Sequence, residues 1–134
     1  MDTATTSPTE ALIRRGYGVF QTGDLDAFLG MLDENVEWHI GGRHRVTGDY
    51  HGRDAVHEFL ATLFDLTSGS FSIETHDVMA SNGRAVALGT MRAKRNGKTL
   101  EQQIVHVFEV RDGEAVREFW HIPYDQYLDD DFWA

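Results

Sequence analysis

Three dipeptides of one kind, Asn82-Gly83, Asn96-Gly97 and Asp112-Gly113, divide the second half of the chain into segments whose apolar residues recur at every second position. Asn-Gly and Asp-Gly tolerate positive φ at both centres of a type I′ turn, whose twist matches that of paired strands. The segments are "FSIETHDVMA", "RAVALGTMRAKR", "TLEQQIVHVFEVR" and "EAVREFWHI". They read as a four-stranded antiparallel meander. With two residues in each turn, counting outward fixes the register. Val78 then lies opposite Ala87 and His76 opposite Gly89. Ala87 lies opposite His106, Gly89 opposite Ile104, His106 opposite Phe119 and Ile104 opposite His121.

This register sorts the meander into two faces. One carries Glu74, His76, Val78, Ala85, Ala87, Gly89, Met91, Gln102, Ile104, His106, Phe108, Phe119 and His121. The other carries Phe71, Ile73, Met79, Val86, Leu88, Val105, Val107, Val116, Trp120 and Ile122. The first is cut back by Ala and Gly at its centre and has polar groups among apolar ones, which leaves room for a ligand. The second is bulky and aliphatic. Helices can cover one face only, so the second calls for a partner, most simply another copy of the chain.

The first half of the chain supplies the helices. "SPTE" at Ser7–Glu10 is a capping box with Pro at the first helical position. A helix is expected from Pro8 to about Thr22, stopped by Gly23. Asp24 caps a second, "DLDAFLGML", with Leu25, Phe28, Leu29 and Leu32 on one side. "VEWHI" alternates as a strand, and "GGRHRVTGDYHG" reads as a loop. "RDAVHEFLATLFDL" is a third helix with a stripe of Val56, Phe59, Leu60, Leu63 and Phe64. The acidic "YDQYLDDDFW" reads as a short helix with Tyr124, Leu128 and Phe132 on one side. The order predicts an α+β fold, three helices packed on a curved, mostly antiparallel sheet, in a single domain of 134 residues with residues 1–6 disordered.

Net charge is −10, which argues against nucleic acid or an anionic membrane as partner. There is no Cys, hence no disulfide framework and no thiolate site. No signal peptide or membrane span is visible, and a cytoplasmic protein is the expectation. The one basic run, Arg92–Lys98, sits at a hairpin tip and reads as a solvated turn.

The stretches "GDLDAFLGML", "DENVEWH", "GDYHGRDAVHEFL" and "HVFEVRDGEAVREFW" span nearly the whole chain. They resemble the SnoaL-like group of the NTF2-like superfamily, which includes ketosteroid isomerases and polyketide cyclases. The resemblance implies a cone-shaped α+β barrel with a ligand pocket between sheet and helices. It also implies a homodimer through the outer sheet face, and a first strand lying beside the last. In ketosteroid isomerases a Tyr on the first helix would fall on Gly16, one residue from Tyr17. The general-base Asp would fall on His39 and the oxyanion-hole Asp on His106. A Tyr/Asp/Asp constellation thus becomes Gly/His/His. The cyclase base, at the end of the last strand, would fall in the region of Trp120-His121.

His39, His106 and His121 are therefore the candidate catalytic residues, since imidazole serves as acid and base near neutral pH. Buried histidines satisfied by backbone or carboxylate neighbours are the bland alternative for each of them. Tyr17, Tyr50, Met91, Phe108 and Phe119 are candidate substrate-binding residues, with Tyr50 at the pocket mouth. His44, His51 and His57 read as exposed. No metal and no cofactor are expected, because no strand carries an HxH or HxxxH pair. The implied function is acid–base chemistry of isomerase, cyclase or hydrolase type on a small hydrophobic molecule. The alternative is a non-catalytic ligand-binding or dimerisation module.

Trp-His-Ile occurs twice, at Trp38–Ile40 and Trp120–Ile122. Laid side by side, the two strands are expected to turn both histidines into the pocket and both indoles away from it.

Overall fold

The computed structural model describes residues 7–111 and 113–134; the expectation of disorder over residues 1–6 lies outside that range. The elements are α1 (Pro8–Gln21), α2 (Leu25–Leu29), β1 (Leu32–Ile40), β2 (Gly48–His51), α3 (Arg53–Leu66), β3 (Ser72–Ser81), β4 (Arg84–Arg95), β5 (Lys98–Arg111), β6 (Ala115–Pro123) and α4 (Gln126–Trp133). Ser7 caps α1 by accepting from the Glu10 N–H at 3.1 Å, and Asp24 and Asp125 cap α2 and α4 in the same way. The stretch expected as a loop contains β2, which pairs antiparallel with β1.

The six strands run in the order β2-β1-β6-β5-β4-β3. Only β1 and β6 are parallel, so the first strand does lie beside the last. The sheet stays open, with β2 and β3 at its edges. Helices pack on one face, and their apolar stripes meet the inward side chains of the strands. Val56, Phe59, Leu60 and Leu63 of α3 and Leu12 and Ile13 of α1 are buried. An aromatic cluster fills the junction: Trp38 stands 4.3 Å from Phe119 between ring centroids, and Phe28 and Phe59 meet the indole edge-on.

The β4–β5 pairing follows the two-residue count along its whole length, Ala87 opposite His106 and Gly89 opposite Ile104. Asn82, Gly83, Asn96 and Gly97 all hold positive φ. The other two hairpins depart from the count. Between Thr75 and Asp77 a bulge extrudes His76, so Gly89 faces Thr75 and the residues before the bulge change sides. Phe71 and Ile73 therefore belong to the helix-covered face, whereas Glu74 and His76 lie exposed on the other. At the last hairpin Arg111 pairs with Ala115, leaving three residues in the loop, and a second irregularity follows between Glu109 and Val110. Val116 is turned inward as a result. The two shifts cancel in parity for the rest of β6, so Phe119 and His121 keep their expected face. Their partners slide by two residues: His106 faces His121 directly, and Phe108 faces Phe119.

Helix α4 closes one end of the sheet with a face different from the one expected. Asp129, Phe132 and Trp133 are buried, while Tyr124 and Leu128 are exposed. The carbonyls at its C-terminal end are held from β4, β5 and the loop after β1: Arg95 Nη1 donates to Phe132 O at 3.0 Å and to the C-cap Ala134 O at 2.9 Å. Arg45 Nε donates to Trp133 O at 3.1 Å and Lys98 Nζ to Asp131 O at 2.9 Å. Arg95, read from sequence as part of a solvated turn, is thus a buried anchor.

Candidate functional site

Between the sheet and the helices lies a cavity of about 90 Å³. Its walls are largely apolar, and two of them, Met31 and Met91, are flexible thioether chains able to turn aside. Of the candidate substrate-binding residues, Met91, Phe108, Phe119 and Tyr17 line it. Tyr50 does not: it packs on Phe59 with ring centroids 4.6 Å apart and donates to Val46 O at 2.7 Å.

One polar line crosses this cavity. Tyr17 Oη on α1 lies 2.6 Å from Nδ1 of His106 on β5. Nε2 of His106 lies 3.0 Å from Nδ1 of His121 on β6. Nε2 of His121 then faces Oδ2 of Asp129 on α4 at 3.7 Å. His44, from the loop after β1, brings its own Nε2 to 3.7 Å from the same oxygen. All five residues line the cavity. The cross-strand register puts the two imidazoles face to face, and the buried stripe of α4 supplies the carboxylate.

Burial, and then the neighbouring His121, holds the His106 imidazole well below the ordinary histidine range. Burial pushes the Tyr17 phenol upward, so it keeps its proton. Burial also acts to raise the Asp129 carboxyl, but the His121 and His44 imidazoles facing it outweigh that and hold the group down at about 2. The orientation of Asp129 is fixed independently. Gln102 accepts from the Asp125 N–H through Oε1 at 2.9 Å, which turns its amide nitrogen to Asp129 Oδ1 at 3.2 Å. His44 Nδ1 accepts from the Val46 N–H at 3.2 Å, so its proton sits on Nε2, toward the carboxylate.

With His121 neutral, one set of tautomers joins the three residues: Tyr17 O–H donates to His106, His106 Nε2–H donates to His121, and His121 Nε2–H points at Asp129 from 3.7 Å. With His121 doubly protonated, the line reverses. His121 donates to His106, His106 Nδ1–H donates to Tyr17 Oη, and the phenolic O–H is freed for another acceptor. Such a line can move a proton between the Tyr17 tip and His121 without either ring leaving its place.

His39 is not part of it. Trp38 pairs with Phe119 and His39 with Trp120 across the parallel β1–β6 ladder. Alternation then puts Trp38 in the cavity wall and His39 on the opposite face of the sheet, stacked on Trp120 with ring centroids 5.3 Å apart. The two Trp-His-Ile segments sit in adjacent strands with opposite facing, because β1 meets β6 one residue out of step with the motif. His44, expected to be exposed, has a fully buried side chain, while His51 and His57 are exposed. Asp129 and His44 are the members that sequence reasoning missed. For Asp129 the available signal was its helical spacing to Phe132 and Trp133.

A model of the SnoaL-like domain matches residues 13–118. The chain is 33% identical to Bal32a from a soil-derived mobile gene cassette, covering 95% of this chain and 97% of that one with a TM-score of 0.90. It is 29% identical over 126 residues to the uncharacterised Mycobacterium tuberculosis protein Rv0034, covering 92% of this chain and 94% of that protein. An NTF2-like protein of unknown function from Burkholderia pseudomallei shares the fold at 23% identity, with a TM-score of 0.85 over 96% of this chain and 99% of that one. The chain belongs to the SnoaL-like domain family, built on the NTF2-like fold.

Proposed function

We propose that this protein is a cofactor-independent acid–base enzyme acting on a small, mostly apolar molecule with one carbonyl, enol or epoxide oxygen. The observation that carries the reading is the hydrogen-bonded line Tyr17–His106–His121, with the Asp129 carboxylate 3.7 Å beyond it, along an otherwise apolar cavity. In the proposed reaction the ligand oxygen docks at Tyr17 Oη. An enol O–H of the ligand gives its proton to Tyr17 Oη as the phenolic proton passes to His106 Nδ1 and the Nε2 proton of His106 passes to His121 Nδ1, leaving that imidazole charged beside ionised Asp129. The reverse passage delivers a proton to a developing oxyanion. Tyr17 and His106 are the catalytic groups, His121 stores the proton and Asp129 stabilises the charged imidazole. Apolar walls keep water from competing.

The test follows α-proton exchange of small cyclic ketones and enones in D2O by ¹H NMR. Acceleration by the wild type and its loss in Tyr17→Phe and His121→Ala support the enzyme. Saturable binding of the same compounds without exchange would favour the non-catalytic carrier.

The outer sheet face supports a homodimer as the assembled form. Met79, Leu88 and Ile122 are exposed there, beside half-buried Trp120.

A further inference from the structure

The face of the sheet turned away from the cavity carries a second constellation. Glu37 and Glu118 are directly opposite each other across β1 and β6, and Glu118 is opposite Glu109 across β6 and β5. Like charges placed directly opposite are unfavourable. Arg117 approaches Glu109 at 4.0 Å. Among the described residues no Lys or Arg reaches Glu37 or Glu118 within ion-pair distance; Glu37 meets only His39 at 3.7 Å and His51 at 3.9 Å.

His39 is held as a metal-ligating histidine is held. Its Nδ1 lies 2.8 Å from Asp49 Oδ1, so that nitrogen carries the proton. Nε2 is left as a lone-pair donor aimed along the sheet toward Glu37. A carboxylate behind the far ring nitrogen fixes tautomer and ring plane and raises the basicity of the ligating nitrogen. Trp120 stacks on the ring and limits its rotation. One donor atom each from Glu37, His39 and Glu118 lies within 4.8 Å of the other two. Around a zinc-sized ion such atoms stand roughly 3–4 Å apart, a distance that small side-chain rotations reach.

We infer that Glu37, His39 Nε2 and Glu118 form a binding site for one divalent transition-metal ion of the zinc type on the outer face of the sheet, with Asp49 as the positioning carboxylate behind His39. One imidazole and two carboxylates form a mixed nitrogen–oxygen set suited to Zn²⁺ or Co²⁺, with a fourth position left for water. The spacing rules within single strands show no such set, because its ligands come from β1 and β6 and its positioning group from β2. The site shares no residue with the cavity, so its test stands apart from the proposed acid–base chemistry.

Chelator-treated full-length protein is titrated with ZnCl2 by calorimetry, and with CoCl2 while tryptophan fluorescence is followed. The expected result is one Zn²⁺ per chain, with Co²⁺ quenching through Trp120. His39→Ala and Glu118→Gln should each weaken binding at least about tenfold, and Asp49→Asn, which keeps all three ligands, by roughly 10–100-fold. His121→Ala serves as the control for a metal held in the cavity and should bind as the wild type does. Far-UV circular dichroism checks each fold, and Glu118→Gln carries the test should His39→Ala misfold. No binding up to about 1 mM Zn²⁺, unchanged affinity in the folded His39 or Glu118 variant, or loss in His121→Ala would overturn the assignment.

Discussion

Burying His106 in neutral form ties stability to pH. Its folded-state pKa is depressed, so the unfolded chain takes up a proton near the ordinary histidine value of about 6.5 while the folded chain does not. The stabilisation is complete above that value and is lost as pH falls toward the folded pKa. Asp129 acts in the same direction over a lower window, from its ordinary 3.8 down to about 2. Urea unfolding should therefore give a lower free energy at pH 5 than at pH 7, and the difference should shrink in His106→Gln. Tyr17→Phe removes the partner of His106 Nδ1 and should cost about 1–3 kcal/mol. The same variant abolishes the proposed ligand-oxygen chemistry. Asp129 shows what sequence can hide at this scale. It stands in a run of three aspartates, and nothing local separates it from Asp130 or Asp131. Only the burial of Phe132 and Trp133 on the same stripe of α4 marks it as the inward one.

The elements that were legible are those whose pairing is local. β4 and β5 follow the register predicted from Asn96-Gly97 for their full length. Bulges escape such counting, since an extra residue reverses alternation without any residue type that announces it. The side chain extruded at His76 and the three-residue loop after Arg111 are of that kind. The facing of β1 lay beyond hairpin arithmetic altogether, because its neighbour β6 is far away in sequence, and His39 was misplaced for that reason. The His76 bulge leaves a mark that can be tested. Gly89 runs against the facing strand so closely that a Cβ built there would stand 2.6 Å from Glu74 O. Gly89→Ala should destabilise by about 2 kcal/mol or more, read as a fall in urea midpoint at unchanged m-value. At the other end of the sheet, Arg95→Met removes two hydrogen bonds to the carbonyls at the C-terminal end of α4. Hydrogen exchange should then speed up across Gln126–Trp133 while β4 and β5 stay protected.

At the scale of the whole molecule, the sheet divides two environments. One side holds a largely apolar cavity crossed by the hydrogen bonds of Tyr17, His106 and His121. The other mixes exposed apolar residues over β3 to β6 with the carboxylate and histidine cluster over β1, β2 and β6. The apolar part predicts self-association, and Ile122→Asp should shift sedimentation velocity from dimer to monomer at micromolar concentration. A monomeric wild type would remove the homodimer from the proposal. No helix among the described residues is long and apolar enough to cross a membrane.

The parallel seam between β1 and β6 also sets an order of events during synthesis. The hairpins of β3 to β6 close between near neighbours, whereas β1 finds its main partner only after nearly the whole sheet has left the ribosome. Until Phe119 arrives, Trp38 has lost its closest ring contact, and the aromatic residues of α2 and α3 surround an unfinished wall. Long-range parallel pairing is slow and leaves apolar surface open to wrong partners. The nascent chain therefore passes through its most aggregation-prone interval late, with five of its six strands already synthesised and the centre of the sheet still split.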